Sequence, residues 1–288
     1  MILKKNKPKI ATILPYKESY TVEHASAVSL WVSGFFKKSI FNENNYIFGN
    51  ANSKNFLTKN YINISLKNLS VKFRSTSNEY VNKLISEIIK MKFDIIEVHN
   101  RPLVLLKLLK KIKSKYILYY HNDPITMSGS KSASERKYIL NNVDKIIFIS
   151  KWVKQRFFEG LDSELEYKTH IIYHSVNTRK KTKKENLITY VGKLNHAKGY
   201  DIFKDAILKI LNKFPNWKAL SIGDESRRNI YINHKNHQEF GFLSHNKTLN
   251  ILDKTSIAVV PSKWEEPFGR VSLEATSCGC ATITSGSG

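Results

Sequence analysis

Two glutamates flank a Pro-Phe-Gly turn in the stretch VVPSKWEEPFGRVSLEA, residues 259–275. The apolar run that ends at Val260 predicts a buried strand, and apolar residues recur at helical spacing from Val271 onward. Glu266 therefore lies in a loop after a strand, and Glu274 lies about one to two turns into a helix. In a parallel α/β sheet, that loop lies at the end of the strands where ligands bind, so a carboxylate there can accept hydrogen bonds from ligand hydroxyls.

The same turn offers backbone donors. The N–H groups of Phe268 and Gly269 lie at the predicted helix start, where an anion can be bound. A glutamate at a helix start also has a purely structural role, because it stabilises the helix dipole by about 0.3–1 kcal/mol. That structural role fits Glu265.

Strands and helices must alternate around this stretch to position it, and the rest of the chain shows that alternation. The predicted strands are 9–14, 46–48, 61–65, 94–99, 116–121, 145–150, 171–176, 187–191, 219–222, 239–243, 257–260 and 281–284. The other predicted helices are 27–38, 79–92, 103–113, 152–159, 201–214 and 247–254.

The polar basic run NTRKKTKKEN, residues 177–186, is the best candidate for a linker. We therefore predict an α/β protein with two tandem doubly wound, Rossmann-like domains, over residues 1–176 and 187–288. No helix follows the last predicted strand to cover it. We expect the second domain to be incomplete and the chain to be truncated.

Composition narrows the classes of partner. The chain has 288 residues, which is enough for two domains with real cores. Its 47 Lys and Arg against 24 Asp and Glu give a net charge of +23. Such a charge favours an anionic partner, namely nucleic acid, an acidic membrane surface or a phosphorylated substrate. No apolar run approaches the ~20 residues of a membrane span.

The two cysteines do not indicate a metal site. Cys278 and Cys280 are separated by one glycine, and no second pair exists to complete a zinc site. We expect two small buried residues in a reducing compartment.

Four segments resemble a known family in the expected order. VPSKWEEPFGRVSLEATSCGCATITSGSG, residues 260–288, resembles the glutamate-x7-glutamate signature of retaining glycosyltransferases of family four (group 1 glycosyl transferases), which have the GT-B fold. LITYVGKLNHAKGYDIFKDAI, ALSIGDE and HQEFGFLSHNKTLNILDKTSIAVVPS resemble the segments that precede that signature. In the first half, YILYYHNDP, VDKIIFISKWVKQRF and IIYHSVN resemble the family more loosely.

The resemblance implies a nucleotide-sugar donor held by the second domain. Lys193 and Lys198, in a strand-to-helix turn that begins at Gly192, would neutralise the donor diphosphate. Lysine stands where the family usually has arginine at the first of these positions, so the charge is kept without the bidentate fork. The alternative is a solvated pair in a lysine-rich protein. By the same resemblance Glu274 holds the ribose hydroxyls and Glu266 holds donor-sugar hydroxyls.

Two further roles are implied around the donor. The amides of Phe268 and Gly269 help to position the sugar or its phosphate. His121, at the end of the strand YILYYH, reaches the donor sugar from the first domain, although a strand-end histidine alone is more often structural. His99, at the end of DIIEVH, is a weaker candidate of the same kind.

The acceptor side departs from the family. Where a glycine pair usually precedes the first helix, this chain has Ala25, Ser26 and Ala27. We expect Glu23, His24 and Ser26 to face the acceptor.

The implied chemistry uses His121, Lys193, Lys198 and Glu266 and needs no metal or cofactor. The acceptor hydroxyl attacks on the face that the diphosphate leaves, and a leaving-group oxygen takes its proton, while the protein orients the reactants and stabilises charge. The acceptor is expected to be a glycan or a lipid-linked glycan in cell-surface polysaccharide or lipopolysaccharide synthesis. Three alternatives stay open: another GT-B enzyme such as a nucleotide-sugar epimerase or a phosphorylase, a basic nucleic-acid-binding protein, and a non-catalytic remnant. Since no helix-turn-helix, zinc or ribonucleoprotein signature occurs, nucleic acid is not the expected partner.

Residues 103–115, LVLLKLLKKIKSK, form a segment that we call the basic segment. It places Leu105, Leu108, Leu109 and Ile112 on one helical face and lysines on the remainder. The apolar stripe is expected to pack on the sheet of the first domain. Its lysines are expected to contact an anionic membrane surface, as basic amphipathic helices do. We therefore expect a cytoplasmic protein, peripheral at the inner face of the membrane.

Overall fold

A computed structural model describes residues 7–66, 76–162, 166–227 and 229–287, with the backbone alone at residues 76 and 77. The chain divides into two compact units, Met1–Tyr173 and His174–Gly288.

The first unit is built on a seven-stranded parallel sheet in the order β3-β2-β1-β4-β5-β6-β7. Its strands are β1 Ile10–Ile13, β2 Asn45–Gly49, β3 Tyr61–Asn63, β4 Ile95–His99, β5 Lys115–Tyr120, β6 Lys145–Phe148 and β7 Thr169–Ile171. Its α-helices are α1 Ala27–Lys38, α2 Thr76–Met91, α3 Pro102–Leu109, α4 Ala133–Asn142 and α5 Lys151–Phe158. Short 3₁₀ turns lie at Asn42–Asn44, Pro124–Thr126 and Glu166–Lys168.

The second unit is built on a five-stranded parallel sheet in the order β10-β9-β8-β11-β12. Its strands are β8 Glu185–Val191, β9 Lys218–Ile222, β10 His237–Glu239, β11 Thr255–Val260 and β12 Ala281–Thr284. Its helices are α6 Tyr200–Lys213, α7 His245–Lys254 and α8 Arg270–Ser277. The reversal of strand order beside β8 places the loops after β8 and β11 next to each other, as at the ligand-binding edge of other open α/β sheets.

Parallel strands, each followed by a helix or a loop, confirm the predicted α/β fold class. The sequence missed α4, because that helix has a weak apolar stripe and is held by polar contacts. Its buried Arg136 donates to the carbonyl oxygens of Phe157 at 2.7 Å, Lys131 at 2.8 Å and Ser130 at 3.2 Å. Periodicity of apolar residues cannot detect such a helix.

The basic segment is not one helix, which corrects the prediction of a helix over 103–113. Helix α3 ends at Leu109, and the chain then turns, with Lys111 N donating to Leu108 O at 2.9 Å. Leu105 and Leu108 are buried, as predicted, while Lys110 is exposed. The lysines of the segment are therefore spread over a helix, a turn and the start of β5. In the described residues, no helix is both long and apolar enough to span a bilayer.

A polar cluster lies inside the core of the first unit. Thr12 Oγ1 is 2.8 Å from Glu97 Oε2 and 2.9 Å from Asn45 Oδ1, and all three residues are buried. Burial raises the pKa of Glu97 above its ordinary value. A hydroxyl has one proton, so a protonated Glu97 that donates to Thr12, with Thr12 donating to Asn45, satisfies both contacts.

Candidate functional site

Two loops of the second unit meet at the carboxyl edge of its sheet. The β8–α6 loop covers residues 192–199, and the β11–α8 loop covers residues 261–269. The backbone N–H groups of Lys263 and Trp264 both donate to Ala197 O at 3.0 Å. These bonds fix the two loops to each other through their backbones.

Close backbone approach explains two glycines of this edge. Gly199 has φ +69°, and a Cβ there would lie 1.8 Å from Pro261 O. Gly223, after β9, has φ +140°, and a Cβ there would lie 1.8 Å from Gly192 O. Any other residue would separate these loops or strain them. The edge therefore brings backbone from three neighbouring strands into contact.

Side chains hold the β8–α6 loop in shape. Tyr190 Oη, at the end of β8, lies 2.6 Å from Lys193 O and 3.2 Å from Lys198 O. Asn195 Oδ1 accepts a hydrogen bond from Lys198 N at 3.0 Å, and Asn195 Nδ2 donates to Glu225 Oε2 at 3.0 Å. The backbone positions of both lysines are thus set by a buried tyrosine and by a side-chain turn.

Lys198 and Glu266 form an ion pair across the two loops. Lys198 Nζ donates to Glu266 Oε1 and also lies 4.1 Å from the centroid of the Trp264 ring. The side chains of Lys198 and Glu266 are 25% and 20% exposed, so the pair is partly shielded from water but still open to a ligand. Lys193, at the other end of the loop, is exposed.

The Pro-Phe-Gly turn leads directly into α8. Gly269 precedes the helix in a left-handed conformation and, as a glycine, has no side chain with which to cap the first turn. The ring of Phe268 lies 4.8 Å from that of His174. Burial, with help from the charge of Arg270, lowers the pKa of His174 to about 4, so this histidine is neutral at physiological pH. The helix start thus presents backbone donors beside neutral rings.

Glu274 lies one turn into α8 and is buried. Its Oε1 accepts hydrogen bonds from Arg270 Nε at 2.7 Å and, taking its Nε2 as the protonated nitrogen, from His245 at 2.9 Å. Burial alone would raise the pKa of Glu274, but the hydrogen bond from His245 and the charge of Arg270 outweigh burial and lower that pKa. Glu274 is therefore a carboxylate. No described residue donates a hydrogen bond to its Oε2.

His121, in the first unit, follows β5 and pairs with His99 at the end of β4. Their rings are joined by a hydrogen bond of 2.9 Å between His99 Nδ1 and His121 Nε2. Trp31, on α1, packs its ring 5.3 Å from that of His121. Burial lowers the pKa of His99 to about 3, so His99 is neutral. The two histidines that the sequence singled out therefore form one buried contact.

One predicted acceptor-side residue, His24, lines a cavity of about 720 Å³ in the first unit. The cavity lining is mostly apolar by surface area, and its polar side chains include those of His24, Ser19, Asn50 and Asn52. Glu23 does not line this cavity. Its Oε1 accepts a hydrogen bond from Asn55 Nδ2 at 2.6 Å.

Ser26 has a structural task that the sequence did not suggest. It is the N-cap of α1, where its Oγ accepts from Ser29 N at 3.2 Å, and it also donates to Glu18. A serine at this point therefore starts the helix.

Comparison with known proteins adds to this geometry. Residues 175–288 match the family described as Glycosyl transferases group 1, and residues 49–180 match Glycosyltransferase Family 4. The two matches lie on neighbouring parts of the chain, and each of these parts is similar to a glycosyltransferase family.

A curated relative is spore coat protein SA of Bacillus subtilis, which is 25% identical over 245 residues. That match covers 73% of this chain and 64% of the relative, so the chain spans less than two thirds of the relative's length.

Two solved structures share the fold. Sucrose-phosphate synthase from Thermosynechococcus elongatus aligns with a TM-score of 0.72 and 17% identity over 97% of this chain and 81% of its own. HepE from Anabaena, solved in complex with UDP and glucose, aligns with a TM-score of 0.71 and 16% identity over 98% of this chain and 81% of its own. These likenesses confirm the GT-B type of α/β fold.

Within residues 175–288, the structure joins Lys198 to Glu266. Glu274 has different neighbours, His245 and Arg270. The sequence analysis missed Arg270, although the spacing of four between Arg270 and Glu274 on one helix signals such a pair. It also missed His245, which is 29 residues from Glu274 and has no local signal. Among the described residues, no three His, Cys, Asp or Glu side chains cluster as metal ligands would.

Proposed function

We propose that this chain is part of a retaining glycosyltransferase that moves a sugar from a nucleotide-sugar donor to a glycan or lipid-linked acceptor. The observation that carries the proposal is the Lys198–Glu266 ion pair at the carboxyl edge of the second sheet, with Glu274 one turn into the adjoining helix. A cation, the backbone turn at the start of the helix and two carboxylates match the three parts of such a donor: diphosphate, sugar and ribose.

Each residue has a defined task in this proposal. Lys198 and Lys193 bind the diphosphate, and the amides of Phe268 and Gly269 bind the phosphate or the sugar. Glu266 engages Lys198 in the free protein and accepts hydrogen bonds from the donor-sugar hydroxyls when the donor is bound. Glu274 accepts hydrogen bonds from the ribose through Oε2. Gly192 begins the donor-binding loop, and its carbonyl oxygen would lie 1.8 Å from a Cβ on Gly223.

The reaction needs charge stabilisation more than a protein nucleophile. As the bond from the sugar to the diphosphate breaks, negative charge grows on the leaving oxygen, and a lysine fixed beforehand stabilises that charge. The acceptor hydroxyl attacks on the same face, and its proton passes to a leaving-group oxygen, so the configuration at the anomeric carbon is retained. His121, hydrogen-bonded to His99 at 2.9 Å, keeps in this proposal the role that the family resemblance implies, contact with the donor sugar.

The acceptor side is assigned to the first unit. The cavity near His24 offers hydroxyl and amide groups, which suit a polyhydroxylated acceptor. The lysines of the basic segment, with the net charge of +23, suit an acceptor at an anionic membrane surface in polysaccharide or lipopolysaccharide synthesis.

A thermal-shift screen of UDP-, GDP- and ADP-sugars tests this function. One donor should raise the melting temperature of the chain, and the shift should persist at high salt, because a shaped site depends on more than net charge. A shift that occurs with every polyanion and disappears with salt would favour a general basic protein. HepE was solved with UDP and glucose, so UDP-glucose is the first donor to test.

A further inference from the structure

Two side chains, His245 and Arg270, donate hydrogen bonds to Glu274, and the proposed reaction gives neither of them a role. His245 is the first residue of α7, and Arg270 is the first residue of α8. Their nitrogens reach the same carboxylate oxygen, at 2.9 Å and 2.7 Å. We propose that His245 and Arg270 are positioning residues that fix the Glu274 carboxylate for the ribose of the donor nucleotide. This inference rests on the proposed function.

The distribution of hydrogen bonds over the carboxylate supports this role. Both donors go to Oε1, and Oε2 receives none from the described residues. A carboxylate oxygen can accept two hydrogen bonds, and the ribose of a nucleotide carries two neighbouring hydroxyls that donate. One oxygen is thus used by the protein to hold the group, and the other is kept for the ligand.

Because the Glu274 carboxylate is buried, it needs hydrogen-bond donors from the protein. The Glu274 side chain is only 8% exposed, and an ionised carboxylate at that depth needs charge-assisted partners. A glutamate fixed before binding loses little rotamer freedom when the nucleotide arrives, so more of the interaction is expressed as affinity. Removing a holding residue should therefore weaken nucleotide binding although that residue need not touch the nucleotide.

The two positioning residues differ in how safely they can be replaced. Arg270 is 14% exposed, and its loss would leave a buried carboxylate without a cation on its own helix. His245 is 24% exposed at the start of a helix, where alanine is readily accepted. His245→Ala is therefore the main variant. Asn246→Ala, at the next position and exposed, is the matched control.

The deciding experiment is calorimetric titration with UDP and with 2′,3′-dideoxy-UDP, or with the corresponding GDP or ADP pair if that nucleotide binds. His245→Ala should weaken UDP binding roughly tenfold, as loss of one charge-assisted contact does. The same variant should bind dideoxy-UDP within about twofold of the wild type, because the ribose hydroxyls that Glu274 serves are absent. Asn246→Ala should match the wild type with both ligands.

Equal loss of affinity for UDP and dideoxy-UDP would overturn the inference, since a merely structural contact between α7 and α8 cannot sense the ribose hydroxyls. His245→Gln keeps an N–H donor and should recover most of the affinity. If the alanine variant does not fold, His245→Leu, which keeps side-chain volume but has no N–H donor, replaces it in the comparison. A wild-type chain that binds none of the three nucleotides would refute the proposed function itself. The two failures can be told apart. In the first, the wild type binds no nucleotide; in the second, the wild type binds UDP but His245→Ala loses affinity for UDP and dideoxy-UDP equally.

Discussion

Lys198 and Glu266 form one ion pair, yet their removal should have opposite effects on nucleotide affinity. In Lys198→Ala the diphosphate loses a cation. A charge-assisted hydrogen bond contributes about 1.5–3 kcal/mol, and both side chains are at most a quarter exposed, so little is lost to solvent screening. We therefore expect the UDP dissociation constant to rise roughly 10- to 150-fold.

Glu266→Gln removes the carboxylate that engages Lys198 in the free protein. The lysine is then available to the diphosphate, so UDP should bind as well as to the wild type or more tightly. Turnover of the nucleotide sugar should nevertheless fall, because the donor-sugar hydroxyls lose a charged acceptor. Calorimetry with UDP and a kinetic assay of sugar release measure the two quantities separately.

Lys263→Ala is the control for charge. Lys263 lies in the same loop and forms an ion pair of 2.5 Å with Asp201, but its side chain is 48% exposed. Its removal changes net charge by the same amount and should leave UDP affinity within about twofold, since exposed pairs contribute little. If Lys198→Ala and Glu266→Gln both lower stability and neither changes UDP affinity, the pair is structural and the assignment of the phosphate site is wrong.

Four further outcomes follow from the same structure. Glu274→Gln should raise the Michaelis constant for the donor more than it lowers turnover, because ribose binding is weakened, and equal small effects from this change and from Glu266→Gln would indicate helix capping instead. Gly199→Ala should lower the unfolding free energy in urea by roughly 1–3 kcal/mol, since its left-handed backbone and Pro261 O exclude a Cβ, and an unchanged midpoint would contradict the close approach. Burial raises the pKa of Glu97, so the wild type should lose stability relative to Glu97→Gln as the pH rises above the unfolded glutamate pKa of about 4.3, and parallel melting curves from pH 4 to 8 would refute the buried proton. Replacing four lysines of the basic segment by Gln should reduce sedimentation with anionic liposomes at low salt, and a wild type that does not sediment would exclude the membrane contact. Those four are Lys107, Lys110, Lys111 and Lys113.

The sequence predicted most of this fold because strands such as β1 and β6 are apolar and buried. The predicted last strand and first helix also coincide with β12, Ala281–Thr284, and α1, Ala27–Lys38. The sequence failed at α4, where polar contacts of Arg136 replace an apolar stripe, and at the end of α3, where leucines and lysines continue a helical pattern past the point at which the chain turns into β5.

The sequence predicted only part of the candidate site, because contacts between residues far apart along the chain leave no local pattern. Lys198, Glu266 and Glu274 could be found because they lie in local motifs whose spacing is readable along the chain. His245 acts on Glu274 from another helix, and only the packing of α7 on α8 brings them together. Tyr190 looked like a strand residue, and its hydroxyl contacts with the β8–α6 loop depend on the loop's own course.

A crystal structure with a bound nucleoside diphosphate tests the central claim most directly. We predict that the ribose hydroxyls lie within hydrogen-bond distance of Glu274 Oε2 and that the diphosphate lies against Lys198 and the start of α8. A nucleotide bound elsewhere on the chain, or one whose ribose does not reach Glu274, would contradict it.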